Sequence, residues 1–195
     1  MDVKLILGSQ SPRRKEILSY FSLPFVQIPS LFNEDSIQYA GDPKNYATTL
    51  SQHKAHELAS RFPEYVILTA DTIVHLNGKV YNKPGNPLEA QQMLKDFSGN
   101  WQEVYTAVTV RRHDTFFSDI EETRILFHNL TDAQITHYHK SCNSLDKAGG
   151  YSIQHSGGLI VSRMEGCYDN VLGLPINTLR KLLLKMGIDL WLYLK

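Results

Sequence analysis

Val3-Lys4-Leu5-Ile6-Leu7-Gly8-Ser9-Gln10-Ser11-Pro12-Arg13-Arg14-Lys15 is the stretch from which the rest of the chain is read. Val3 to Leu7 is a short apolar run of the kind that makes a buried strand, and Gly8 to Pro12 interrupts it as a loop. Ser11 suits the cap of a helix, and Pro12 its first position, where the missing N–H leaves no bond unmade. The stretch therefore predicts strand, tight loop, helix. Arg13, Arg14 and Lys15 then stand where a helix dipole and its free N–H groups favour negative charge. Two readings fit cations at that end: a solvated basic turn, or a site where a bound anion such as a polyphosphate supplies the missing charge. The motif is not a Walker P-loop, because GxxxxGK[ST] is absent.

Working outward, Phe25 to Ile28 is apolar and a polar loop runs to Asp42, which caps an expected helix from Pro43 to about Phe62. Ala47, Leu50 and Leu58 share one face of that helix, and Lys54 falls inside the same stripe. Tyr65 to Ala70 reads as a strand ended by a turn at Asp71-Thr72. Ile73 to Tyr81 reads as a hairpin folded at Asn77-Gly78. A helix from Pro87 to Phe97 carries Leu88, Leu94 and Phe97, and Ser98-Gly99-Asn100 stops it. Trp101 to Arg111 and Phe116 to Phe127 are expected strands around His113-Asp114. Thr131 with Gln134 forms a capping box for a helix to Ser141, and Pro175 to Met186 supplies the last long helix. Between them Gly149 to Gly173 is glycine-rich and broken by Leu159-Ile160-Val161. The order of elements predicts a mixed α/β fold rather than a strict doubly wound sheet.

With 195 residues, a hydrophobic fraction of 42% and a charged fraction of 21%, the chain fits one globular domain, 1–195, with two lobes. Twenty Lys+Arg balance twenty Asp+Glu, so no global field draws the protein to nucleic acid or an anionic membrane, and any anion site must be local. The apolar run near Met1 is far too short for a signal segment or a span, which points to a cytoplasmic protein. Cys142 and Cys167 lack CxxC or Cys/His spacing, so reduced thiols are expected. His53 with His56, and His137 with His139, lack the spacing of a helical zinc pair. The apolar Leu182-Leu183-Leu184 and Trp191 to Leu194 read as packing or as a dimer surface.

Three residues outside the first helix carry candidate chemistry. Lys54 either snorkels to the rim of its apolar stripe or faces a polar cleft. Asp71 follows a buried strand, where α/β proteins place ligand sites; there it is either a turn residue or a carboxylate that holds a cation or takes a proton from water. Lys83 stands just after the hairpin in Lys83-Pro84-Gly85, either solvated or turned to the same site.

The string Gly8-Ser9-Gln10-Ser11-Pro12-Arg13-Arg14, then Lys54-Ala55, Ala70-Asp71-Thr72, Lys83-Pro84, Ser98-Gly99, Val104-Tyr105-Thr106, Lys147-Ala148-Gly149-Gly150-Tyr151, Ile153-Gln154 and Asn170-Val171-Leu172-Gly173-Leu174-Pro175 closely resembles the Maf family of nucleoside triphosphate pyrophosphatases, block by block and in order. The resemblance implies a Maf/ITPase-like α/β fold, a mixed β-sheet flanked by helices, with two lobes around a central nucleotide-binding cleft. It implies hydrolysis of a nucleoside triphosphate to the monophosphate and pyrophosphate, assisted by Mg2+ or Mn2+, in a homodimer. By the same match Asp71 is the proton acceptor, Lys54, Lys83 and Glu34 complete the catalytic set, and Asp71 with Glu34 holds the metal. Ser9, Ser11, Arg13 and Arg14 bind phosphate.

Arg13, Thr72 and Gln154 match the branch acting on dTTP and UTP; the sister branch, selective for 7-methyl-GTP, has tryptophan where Arg13 stands. Asn33 replaces an acid often found before Glu34, Gln102 a usual histidine, and His155 a common glycine. Two rival readings share the nucleotide site: a non-catalytic nucleotide-binding regulator of cell division and septum formation, and a purine-directed pyrophosphatase similar to the inosine triphosphate enzymes.

Overall fold

Strand β1 (Leu5–Gly8) and helix α1 (Pro12–Leu18), capped by the Ser11 side chain, reproduce the expected opening. The structure, a computed structural model, describes residues 4–142 and 144–195, so Val3, placed at the head of the first strand, lies outside the described residues. Two further helices start where their caps predict, α2 (Pro43–Arg61) at Asp42 and α4 (Asp132–Ser141) at the reciprocal Thr131/Gln134 box, and α3 (Pro87–Phe97) has the expected bounds, with Asn86 as its cap. Short α5 (Tyr168–Leu172) and α6 (Ile176–Lys185) complete the helices. The other strands are β2 (Phe25–Gln27), β3 (Val66–Leu76), β4 (Lys79–Tyr81), β5 (Trp101–Arg112), β6 (Thr115–Phe127) and β7 (Val161–Glu165).

Together they form a seven-stranded mixed sheet of order β2-β1-β3-β5-β6-β7, with β4 paired to β3. β1 runs parallel to β2 and β3, whereas β3–β4 and β6–β7 are antiparallel. The fold is therefore α/β with a mixed sheet, as expected. The chain divides into two compact units, one of Met1–Asp71, Thr106–Glu121 and Tyr168–Lys195, the other of Thr72–Tyr105 and Glu122–Cys167.

In the first unit α2 lays Ala55, Leu58 and Ala59 on Ile6 and Ile67 of the parallel strands. Gly8 makes that approach possible. It pairs with Thr69 across β1–β3, and a Cβ at Gly8 would stand 2.4 Å from Leu58 Cδ1 and 2.7 Å from Thr69 Cγ2. Overfilling such a contact costs about 1–3 kcal/mol. Gly8→Ala is thus expected to destabilise the protein by about that amount, read as a lower urea midpoint; an unchanged midpoint would show that α2 has slack over β1. α6 buries Thr178, Leu179, Leu182 and Leu183. In the C-terminal Leu190–Tyr193 turn only Leu190 is buried, while Trp191 and Leu192 are exposed. Ser22 N–H donates to the Tyr193 carbonyl at 2.7 Å, tying this turn to the residues after α1.

In the second unit the β3–β4 hairpin turns at Asn77 and Gly78, both with positive φ (51° and 81°), the backbone that made Asn-Gly a turn signal. α3 buries Ala90, Met93, Leu94 and Phe97, and α4 buries Ile135 and Tyr138. Phe97, Phe127 and Tyr151 stack edge to face or tilted, with centroids 5.0–6.0 Å apart.

Three expectations are corrected. Asp71-Thr72 is no turn, because β3 continues through both residues to Leu76 and Asp71 lies in mid-strand. Leu88 is 77% exposed; the buried stripe of α3 is carried by Ala90 and Met93 instead. The apolar break at Leu159-Ile160-Val161 is the end of a short 3-10 turn running into strand β7. Among the described residues no helix is long and apolar enough to cross a membrane.

Candidate active site

Lys54 settles between its two readings. Its side chain is 11% exposed, and Nζ reaches Asp71 Oδ1 at 2.5 Å and Glu34 Oε1 at 2.9 Å. The stem stays in the apolar stripe of α2 while the ammonium bridges two carboxylates, so the charge is turned to acids rather than to the rim. Asp71 is 8% exposed and Glu34 56%. The buried carboxylate thus depends on Lys54 more than the half-solvated one does.

Glu34 sits in a 3-10 turn, Glu34–Ser36, whose start is capped by Asn33: Asn33 Oδ1 accepts from Asp35 N–H at 3.2 Å. This gives Asn33 a local structural task in place of a second acid. The loop before it is fastened by Glu57 of α2, which accepts from Ser30 Oγ at 2.8 Å and from Leu31 N–H at 3.0 Å. Burial pushes the Glu57 carboxyl up, but the hydrogen bonds from Arg61, Leu31 and Ser30 outweigh it and hold the group below the usual carboxylate range. Stacking of Phe32 on His53, 4.9 Å between centroids, adds a second fastening.

The loop between β1 and α1 is self-braced. Ser9 is buried, and its hydroxyl accepts from Ser11 N–H at 3.1 Å and from Arg14 Nη1 at 3.3 Å. Ser11 Oγ accepts from Arg14 N–H, as the cap requires. Arg14 Nε donates to the Gly173 carbonyl at 2.7 Å, which connects the loop to the residues after α5. Gln27 of β2 donates to the carbonyls of Ser9 and Ser11 at 2.9 and 3.3 Å. Burial holds the Arg14 guanidinium below its usual value, Asp71 and Glu34 act to raise it, and Arg13 acts to lower it. Arg14 therefore feels both carboxylates of the Lys54 group, and Arg13 and Arg14 repel each other in a way that an anion at the helix start would relieve.

The structure therefore brings Ser9, Ser11, Arg14, Glu34, Lys54 and Asp71 into one bonded and electrostatically coupled constellation in the first unit, with Arg13 half-buried beside Arg14. Lys83, Thr72 and Gln154 belong to the second unit. There Lys83 is exposed on the loop after β4, while Thr72 on β3 and Gln154 before a 3-10 turn are half-buried. His155 adopts positive φ, 54°, a backbone that glycine takes without steric cost. Gln102 donates to Tyr151 Oη at 2.5 Å in the buried interior of the second unit.

Gln27 and Glu57 went unnoticed in the sequence. Their partners lie 16–18 and 26–27 residues away, and no local pattern marks such bonds.

Asp71 and Glu34 meet on the Lys54 ammonium, and their carboxylates are hard oxygen donors of the kind a divalent cation such as Mg2+ takes in ones or twos alongside phosphate oxygens and waters. Among the described residues no group of three or more His, Cys, Asp or Glu side chains could hold a metal by itself. The donor set fits a metal that arrives with a phosphate ligand rather than one caged by protein alone.

A sequence model of the family described as Maf-like protein matches residues 4–186. The chain belongs to the Maf-like family. Two Maf-like relatives align along their whole length: the dTTP/UTP pyrophosphatase of Chlamydia felis, 46% identical over 195 residues, and that of Chlamydia trachomatis, 40% identical, each match covering 100% of both chains. A dITP/XTP pyrophosphatase structure from Mycobacterium abscessus overlaps 66% of this chain and 76% of its own, at a TM-score of 0.41 and 8% identity. The Maf-like match spans both compact units.

Proposed function

We propose that this protein hydrolyses dTTP and UTP between the α and β phosphates, taking up one water and releasing the nucleoside monophosphate and pyrophosphate. The observation that carries the reading is the buried Asp71–Lys54 pair with the half-solvated Glu34 joined to it, found in a Maf-like chain with relatives named dTTP/UTP pyrophosphatase over their full length.

Cleavage of a phosphoanhydride is chiefly a matter of placing reactants and neutralising charge on the phosphate oxygens. Asp71 accepts the proton of the attacking water. Lys54 holds that carboxylate in place and offers its ammonium to the phosphates. Ser9, Ser11, Arg13 and Arg14 receive the phosphate tail at the start of α1, where backbone N–H groups and guanidinium groups favour the same anion. Lys83 adds a further cation. Arg13, Thr72 and Gln154 select the pyrimidine nucleotide. Glu34 and Asp71 would hold the Mg2+ or Mn2+, which when bound would offset phosphate charge. A homodimer working in the cytoplasm on free nucleotides completes the proposal.

The test is a panel of dTTP, UTP, CTP, GTP, ATP and modified pyrimidine triphosphates with Mg2+ or Mn2+, followed by product analysis. Preferred conversion of dTTP and UTP to dTMP, UMP and pyrophosphate is expected. Orthophosphate with a nucleoside diphosphate would reject the bond assignment, preference for purines would reject the substrate, and tight binding without product would reject catalysis.

A further inference from the structure

Beside the Lys54–Asp71 pair runs a chain of hydroxyl groups with no part in the chemistry described so far. Ser51 of α2, Thr69 of β3 and Thr109 of β5 are at most 1% exposed. Thr69 Oγ1 donates to the Ser51 carbonyl at 2.8 Å, and Ser51 Oγ donates to Thr109 Oγ1 at 2.9 Å. Thr109 Oγ1 lies 2.9 Å from Ser118 Oγ of β6, which also accepts from Gln52 Nε2 at 3.1 Å. Either hydroxyl can donate in the Thr109–Ser118 bond, so the chain runs unbroken from α2 through β5 to β6. All five residues belong to the first unit.

Buried hydroxyls are an expensive way to seat a helix on a sheet, since apolar side chains of the same volume would pack without any desolvation cost. What they add is a fixed spacing: methyl groups slide over one another, whereas a satisfied chain of directed hydrogen bonds admits one arrangement. Its location shows which spacing is held. Ser51 is one helical turn before Lys54 on the buried face of α2. Thr69 is two residues before Asp71 on β3, so both side chains leave the same face of the sheet. The hydroxyl chain and the ion pair are adjacent rungs between one helix and one strand.

We propose that Ser51, Thr69, Thr109 and Ser118 are positioning residues, which hold α2 against β3 so that the Lys54 ammonium stays in register with Asp71. The proposal rests on the catalytic role given to Asp71 and Lys54 above.

Thr109→Val removes one hydroxyl at nearly constant shape and leaves Ser51 and Ser118 without their shared partner. With the variant folded, kcat for dTTP is expected to fall by about tenfold or more, because small displacements of a reacting group cost that much, while KM stays within about twofold. A second readout needs no turnover: reductive methylation of Lys54, followed by peptide mass analysis and normalised to the exposed Lys44 of the same helix. It should accelerate by about threefold or more as the pair loosens. Thr109→Ser, which keeps the hydroxyl, should restore both quantities. Should Thr109→Val fail to fold, Ser118→Ala at the half-buried end of the chain is tested by the same two measurements.

A folded variant with wild-type kcat and wild-type labelling of Lys54 overturns the proposal, as does a loss of stability alone that Thr109→Ser leaves uncorrected. If the wild-type protein turns over none of the nucleotides, the catalytic reading fails by itself, and the labelling rates still decide whether the hydroxyls hold the pair.

Discussion

Asp71→Asn is expected to leave the protein folded and to lower dTTP turnover by at least about a hundredfold, the lower range for loss of a placed acid or base. Folding survives for a reason visible in the ion group. The amide fills the same volume and still accepts from Lys54, and the ammonium keeps Glu34 at 2.9 Å, so no buried charge loses all its partners. The chemistry has no such reserve, because an amide cannot take the proton of an incoming water. Paired measurements decide the matter: the urea midpoint for the fold, and release of pyrophosphate from dTTP for the reaction. A variant that keeps its turnover would remove Asp71 from the role of proton acceptor, whatever its stability.

Lys54→Met has the opposite profile in stability. The methionine stem fits the apolar stripe between Leu50 and Leu58, but Asp71 keeps its charge in a place only 8% exposed and loses its ammonium. Removing one member of a buried pair costs about 3–5 kcal/mol, most of it from the charge left behind. The expected result is therefore a large fall in urea midpoint together with loss of turnover. The double variant Lys54→Met/Asp71→Asn is expected to regain most of the stability and none of the activity, since it no longer buries an unpaired charge. Equal stability of the single and double variants would show that Arg14, whose charge also reaches Asp71, suffices to hold the carboxylate.

Legibility in the sequence followed the range of the interactions. Ser11, Asp42 and Thr131 announce helices because each cap bonds to N–H groups two or three residues onward. Asn77-Gly78 announces its hairpin for the same local reason. Asp71-Thr72 looks like a turn because its residue types favour one, yet pairing in the sheet and burial on both sides carry β3 straight through it. β7 hid because Ser162, Arg163 and Glu165 are exposed and mask the apolar signal, and α5 because five residues hold too little pattern. In the site, Lys54 was conspicuous as a charge in an apolar stripe. Its partners were not derivable from that stripe: Glu34 lies 20 residues upstream and Asp71 17 downstream, and only the resemblance joined them. The hydroxyl chain was illegible for a related reason, since serine and threonine are ordinary in strands and helices until a third element supplies their acceptors.

Val66–Leu76 also has a bearing on how the protein fares before it folds. These eleven residues, VILTADTIVHL, contain no proline or glycine, and Asp71 is their sole carboxylate or cation apart from a histidine. Segments of that make-up stick to one another when a nascent or stressed chain exposes them, and a single interior charge is a common gatekeeper against such self-association. The residue assigned to the reaction thus stands where such a gatekeeper charge would stand. Neutralising it is expected to send more of the newly made chain into inclusion bodies, so poor recovery of an inactive variant says nothing about the native state's integrity.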